Sequence, residues 1–137
     1  MKILIVYAHP EPSSLNGSLK DLAIKVLQDE GHEVIVSDLY QMQWKAAGDG
    51  YDFLARGTER LSFTRDSKQA FLTGTLSPDI QDEIQKLLWS DAVIFQFPLW
   101  WFSMPAILKG WFDRVYVNGF AYGVGVHGGD RWGDRYG

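Results

Sequence analysis

Three short apolar runs, at residues 2–7 (KILIVY), 33–39 (EVIVSDL) and 92–97 (AVIFQF), punctuate the chain. Each has the length and β-branched or aromatic content of a sheet strand, and the third, interrupted only by Gln96, reads as a central strand covered on both faces. Between the first two runs, Leu15, Leu19, Leu22, Val26 and Leu27 recur at helical spacing, with Ser13 or Ser14 placed to cap the helix and Gly31 to end it. A helix over residues 15–30 follows, so the first two strands are parallel and joined by a right-handed crossover. Ser77-Pro78-Asp79 marks a second helix start, whose apolar face is Ile80, Ile84, Leu87 and Leu88. Pro98 stops the third strand, Leu99 to Phe102 form an aromatic loop, and Ser103 and Pro105 introduce a helix running through Trp111 to Val115 that is apolar enough to pack on the sheet and on a second subunit. Residues 41–75 show no periodicity, only aromatics scattered among charges, and predict an irregular stretch at a subunit interface. Half of the fourteen glycines fall in residues 118–137, which excludes a regular element throughout that tail.

Composition narrows the function. At 137 residues and 46% hydrophobic content the chain makes one domain, residues 1–137, with a real core. A net charge of -4 with no Lys/Arg cluster argues against nucleic acid. The absence of cysteine removes disulfides and thiolate metal sites, and His9, His32 and His127 are too scattered to suggest zinc. No long apolar segment or leader pattern is present, so no membrane insertion is expected and the expected location is cytoplasmic.

These elements make an α/β, doubly wound parallel sheet of order 2-1-3. In such sheets ligands sit outside the carboxyl ends of the strands at the switch point, here between strands 1 and 3. The loop after strand 1, from His9 to Asn16, offers hydroxyls and free amides at a helix N-terminus, where phosphate is favoured. Ser13 and Ser14 are cap residues first and phosphate contacts second. The loop after strand 3, Pro98, Leu99, Trp100, Trp101 and Phe102, offers flat apolar faces. Neither GxGxxG nor GxxxxGK is present, so a Rossmann fingerprint and a Walker loop are unsupported. Phosphate at one loop and a planar ring at the other point to a flavin.

The segments AHPEPSSLNGSL, SDLY, LSPDI and IFQFPLWWFSMPAILKGWFDRV, followed by FAY, resemble the flavodoxin-like NAD(P)H:quinone oxidoreductases, the DT-diaphorase group. The resemblance implies FAD, with FMN the weaker choice, and NAD(P)H as co-substrate. It implies that His9, Leu15 and Asn16, with Ser14 beside them, hold the phosphate and adenosine side, and that Leu99 to Phe102 border the isoalloxazine with their amides at its polar edge. Ala121, Tyr122 and Gly123 match the stretch that lines the substrate cavity of the partner subunit in a homodimer. The implied reaction is ping-pong, hydride passing from NAD(P)H to the flavin and then to a quinone. No protein residue is assigned a catalytic role.

The family's pattern departs from this sequence at Val124, where it has a tyrosine, and continues with a fourth strand, a glycine-rich flavin loop and a fifth strand that are not found here. The expectation is a shortened member whose third strand is an apolar edge covered by another chain or by tail residues. His127, Asp130, Arg131, Asp134 and Arg135 read as a solvated tail. Two rival readings are a non-catalytic ancillary subunit of a potassium-efflux system, which the same resemblance includes, and an FMN electron carrier, which the first loop fits less well.

Overall fold

The computed structural model describes residues 1–123. Its elements run β1 (Lys2–Tyr7), α1 (Leu15–Asp29), β2 (Glu33–Asp38), a single 3-10 turn (Gly50–Asp52), α2 (Phe63–Thr73), α3 (Pro78–Trp89), β3 (Ala92–Gln96) and α4 (Ala106–Val115). The sheet has the order β2-β1-β3, all parallel, with Lys2 opposite Glu33 and Tyr7 opposite both Asp38 and Gln96. Alternation along β1 divides the core. Leu4 and Val6 face a large cluster with Ile80, Ile84 and Leu87 of α3 and Leu108, Trp111 and Val115 of α4, while Ile3, Ile5 and Tyr7 face Ala23, Ile24 and Leu27 of α1. The result is three layers, with α1 on one face of the sheet and α3 and α4 on the other.

Three expectations are corrected. β1, not β3, is the central strand: residues 3–7 of β1 are buried, whereas all five residues of β3 are only half-buried at the edge of the described sheet. Residues 41–75 are not irregular throughout, since they contain α2, whose buried positions are Asp66, Ser67 and Ala70. A helix that buries an acid and a hydroxyl carries no apolar periodicity to read. Finally, α1 forms where its spacing predicts, but Leu15, Leu19, Leu22 and Val26 lie on its exposed side and only Leu27 of that set packs on the sheet. The helix has two apolar sides, and the sheet takes the one bearing Ala23, Ile24 and Leu27. The tail residues from Val124 onward, including those read as solvated, lie outside the described residues.

The helix that follows the aromatic loop is anchored by a buried ion cluster. Arg114 of α4 is 2% exposed; its Nη2 lies 2.9 Å from Asp52 Oδ1 and its Nη1 2.7 Å from Asp79 Oδ2, and Nη1 also donates to the Lys45 carbonyl at 3.0 Å. Its guanidinium stacks 4.6 Å from the Trp44 ring centroid. Burial disfavours the Arg114 charge, yet the hydrogen bonds and attraction of Asp52 and Asp79 outweigh it and strengthen its hold on the proton. The same cluster ties the 3-10 turn to the start of α3. Gly110 of α4 admits the chain at Ala46: a Cβ there would fall 2.1 Å from the Ala46 carbonyl oxygen.

Replacing Arg114 by methionine leaves the buried Asp52 with only Lys45, at 2.8 Å, as counter-charge, and urea unfolding is expected to show a loss of about 3 kcal/mol, the low end for a broken buried pair. Burial works to raise the Asp79 carboxyl, but hydrogen bonds from Arg114 and Ser77 hold it below its usual value. A carboxylate with a lowered folded pKa contributes stability above its unfolded value, roughly pH 4, and loses it as pH falls through the folded value. The Asp79→Asn variant should therefore show a flatter decline in urea midpoint below about pH 4 than the parent protein.

Candidate functional site

β1 and β3 end side by side because Tyr7 pairs with Gln96, and the Ala8 amide extends the ladder by donating to the Gln96 carbonyl at 3.0 Å. The chain leaves both strands at the same level. One loop climbs through His9 to α1, and the other passes Pro98 into Leu99 to Phe102.

The first loop is held by its own polar side chains. Glu11 accepts from the Ser13 amide at 2.9 Å and from the Ser13 hydroxyl at 2.7 Å, and these hydrogen bonds hold its carboxyl below the usual range. His9 Nδ1 lies 3.0 Å from the Glu11 amide and 3.1 Å from the Glu11 carbonyl, so the Glu11 backbone fixes the ring while Nε2 is left for the crevice side. His9 also reaches the second loop, its ring 6.2 Å from that of Trp100. Ser14 caps α1, its Oγ accepting from the Gly17 amide at 3.1 Å. Among the described residues the amides of Leu15 and Asn16 have no acceptor, so the first turn of α1 presents free donors at the positive end of the helix dipole. Gly17 packs under Pro12, whose carbonyl oxygen would lie 1.9 Å from a Cβ at that position. The buried Tyr7 hydroxyl beside it has no partner among the described residues.

The second loop is strained. Trp100 and Ser103 exchange both backbone hydrogen bonds, at 2.9 and 3.0 Å, around Trp101 and Phe102, whose φ angles are +50° and +58°. This is the pattern of a type I′ turn, ordinarily made by Asn-Gly. Holding bulky residues in that region costs about 1–2 kcal/mol each. Their side chains are 94% and 93% exposed, and Leu99 is 69% exposed, so the strain is not offset by burial. The geometry leaves the Trp101 and Phe102 amides without acceptors among the described residues. A turn that combines strain, two exposed rings and free amides can border something flat with a polar edge.

The structure thus brings His9, Ser14, Leu15, Asn16, Pro98, Leu99, Trp100, Trp101 and Phe102 to one end of the sheet. It does not bring Ala121, Tyr122 and Gly123 there. They follow the ten-residue α4, which stands between them and the aromatic loop in the chain. They close a turn in which the Gly119 amide donates to the Tyr122 carbonyl at 2.7 Å, and this turn packs on α2 through Phe71 and Phe120, with ring centroids 5.8 Å apart. Two residues that the sequence reading passed over belong with the site: Tyr7, because its orphan hydroxyl lies under the first loop, and Gln96, whose Nε2 donates to Asn16 Oδ1 at 2.6 Å. A lone amide in an apolar strand was the available sign for Gln96.

A parallel sheet of order β2-β1-β3 with its two loops meeting at the switch point defines the class of doubly wound α/β proteins. Residues 1–136 match the family described by the flavodoxin-like fold, and the chain belongs to that family. It is 54% identical, over its whole length, to a ribosyldihydronicotinamide dehydrogenase-like protein of Penicillium crustosum, covering 52% of that relative. Against the human ribosyldihydronicotinamide dehydrogenase [quinone] the identity is 46%, over 90% of this chain and 54% of the relative. A crystal structure of a candidate quinone reductase from Klebsiella pneumoniae superposes with a TM-score of 0.88 at 63% identity, covering 96% of this chain and 51% of that one. The chain thus spans about half the length of these relatives.

Phe102→Gly tests the strained turn. Relief of about 1–2 kcal/mol of left-handed strain, less about 0.5–1 kcal/mol for the added freedom of glycine, predicts a net gain of roughly 0.5–1 kcal/mol in urea unfolding. The same variant should bind a planar ring several-fold more weakly, because aromatic contact is worth about 0.5–1.5 kcal/mol.

Proposed function

We propose that this chain forms the cofactor-binding part of an FAD-dependent oxidoreductase that transfers two electrons from NAD(P)H to quinones or related acceptors. The observation that carries the reading is the pairing, at one end of the sheet, of four amides without acceptors among the described residues (Leu15, Asn16, Trp101 and Phe102) with two exposed aromatic rings. The names of the similar proteins, quinone dehydrogenases and a candidate quinone reductase, point the same way. The residues present fit a flavin nucleotide: the α1 N-terminus suits a diphosphate, and the turn at Trp101 and Phe102 suits a ring with acceptor atoms along its edge. A flavin held there supplies hydride acceptance from NAD(P)H and its return to a quinone, in a ping-pong sequence.

The chain's own part is to bind and orient. Leu15, Asn16 and His9 donate to the phosphate side, with Ser14 fixing the turn that exposes their amides. Leu99, Trp100, Trp101 and Phe102 border the ring, and Pro98 keeps their loop off the sheet. The strain in the turn is spent in advance, so its amides need no reorganisation to meet developing charge on the ring. The protein acts in the cytoplasm as a homodimer in this reading. The turn at Ala121, Tyr122 and Gly123 packs on α2 through Phe71 and Phe120 and leaves Tyr122 exposed, so this side offers aromatic surface to a partner subunit and the turn serves the partner's substrate site.

The test is spectroscopic. Protein purified and mixed with excess FAD, then gel filtered, should keep a flavin absorption band near one equivalent, bleach under NADH or NADPH without oxygen, and recover on adding a quinone. Retention of FMN in preference to FAD would correct the cofactor. Failure to retain either would overturn the reading.

A further inference from the structure

Gln96 is the one polar residue in the run 92–97, and a half-buried amide is costly to desolvate unless its ends are bonded. Here both its backbone and its side chain are committed to the first loop. Its carbonyl accepts the Ala8 amide at 3.0 Å, at the start of that loop, and its Nε2 donates to Asn16 Oδ1 at 2.6 Å, in the first turn of α1. One side chain of β3 thereby ties down a residue 80 positions away at the N-terminus of α1. Two positions further on, Pro98 starts the aromatic loop, so Gln96 stands at the point where the two loops leave the sheet.

The polarity of this bond has a chemical consequence. An asparagine amide has an acceptor end and a donor end. With Oδ1 occupied by Gln96, the free end of Asn16 is Nδ2, a donor without a partner among the described residues. It joins the free amides of Leu15 and Asn16 in a set made only of donors. Were Asn16 turned the other way, a lone-pair oxygen would sit among them and oppose an anion.

We propose that Gln96 is a positioning residue for phosphate: by holding Asn16 Oδ1 it commits Asn16 Nδ2 to the anionic part of the cofactor. The proposal rests on the flavin reading above. It gives the crevice its preference for phosphorylated over unphosphorylated flavin, a selectivity that neither aromatic wall supplies.

The experiment measures dissociation constants for FAD, ADP and riboflavin, by flavin fluorescence and by ADP competition, with melting temperatures to monitor folding. In Gln96→Glu the new carboxylate can only accept, so Asn16 must turn its amino end inward and leave Oδ1 toward the phosphate. FAD and ADP should each bind about tenfold or more weakly, with riboflavin changed by less than about twofold. Gln96→Leu, which frees Asn16 without inverting it, should give a smaller loss. In an Asn16→Ala background, Gln96→Leu should have no further effect on ADP binding, as expected of a residue that acts through Asn16. Equal weakening of riboflavin and FAD, additive losses in the double variant, or unchanged ADP affinity in a folded Gln96→Glu protein would each overturn the proposal. Failure of the unsubstituted protein to bind FAD at all would instead overturn the flavin reading on which it stands.

Discussion

The structure depends on β1 being paired in parallel on both sides. Because Tyr7 stands opposite Asp38 on one side and Gln96 on the other, all three strands end together and release their loops at one edge. Every residue assigned to the crevice is there for that reason. His9 and Asn16 follow β1, Trp101 and Phe102 follow β3, and no long-range folding of a separate element is needed to bring them together. A one-residue slip of β3 would reverse the facing of Val93 and Phe95, which pack with α3 and α4, so burial itself enforces the register.

Around that frame the two walls are made differently. The α1 wall is satisfied and relaxed: Ser14 caps it, Glu11 and Ser13 bind each other, and its free donors are those any helix start leaves. The aromatic wall is held in a conformation its own residues disfavour. What keeps it there is α4, which leaves the loop at Ala106, inserts Trp111 into the core and is locked by Arg114 to Asp52 and Asp79. Trp111 also donates to the buried Glu83 of α3 at 2.8 Å, joining the two helices under the sheet. The energy that maintains the strained turn is therefore stored in packing and ion pairs on the far side of β3, which is why the site can be demanding without being loose.

The order of strands and the meeting of the two loops at one end of the sheet were readable because they depend on local patterns: three apolar runs, two crossovers long enough for helices, and Pro98 at a strand end. α2 was not readable, since its inward face carries Asp66 and Ser67. The side of α1 that packs was misleading because Leu15, Leu19, Leu22 and Val26 advertise a stripe that the described chain leaves exposed. The left-handed turn at Trp101 and Phe102 could not be seen either: the usual markers of that geometry are glycine and asparagine, and the sequence there is WWFS. Gln96 was visible as an oddity, but its partner lies in another layer of the fold and only the structure supplies it. Membership in the flavodoxin-like family was legible from the long run through the aromatic loop, which the family match over residues 1–136 supports.

The central claim is that four particular amides receive the cofactor. Amide chemical shifts, followed in a nitrogen-15 labelled sample during titration with FAD, test it most directly. The account predicts that the largest perturbations and the slowest subsequent hydrogen exchange appear at Leu15, Asn16, Trp101 and Phe102, with the α2 and α3 amides little moved. Binding that perturbs amides elsewhere and leaves these four unchanged would contradict it.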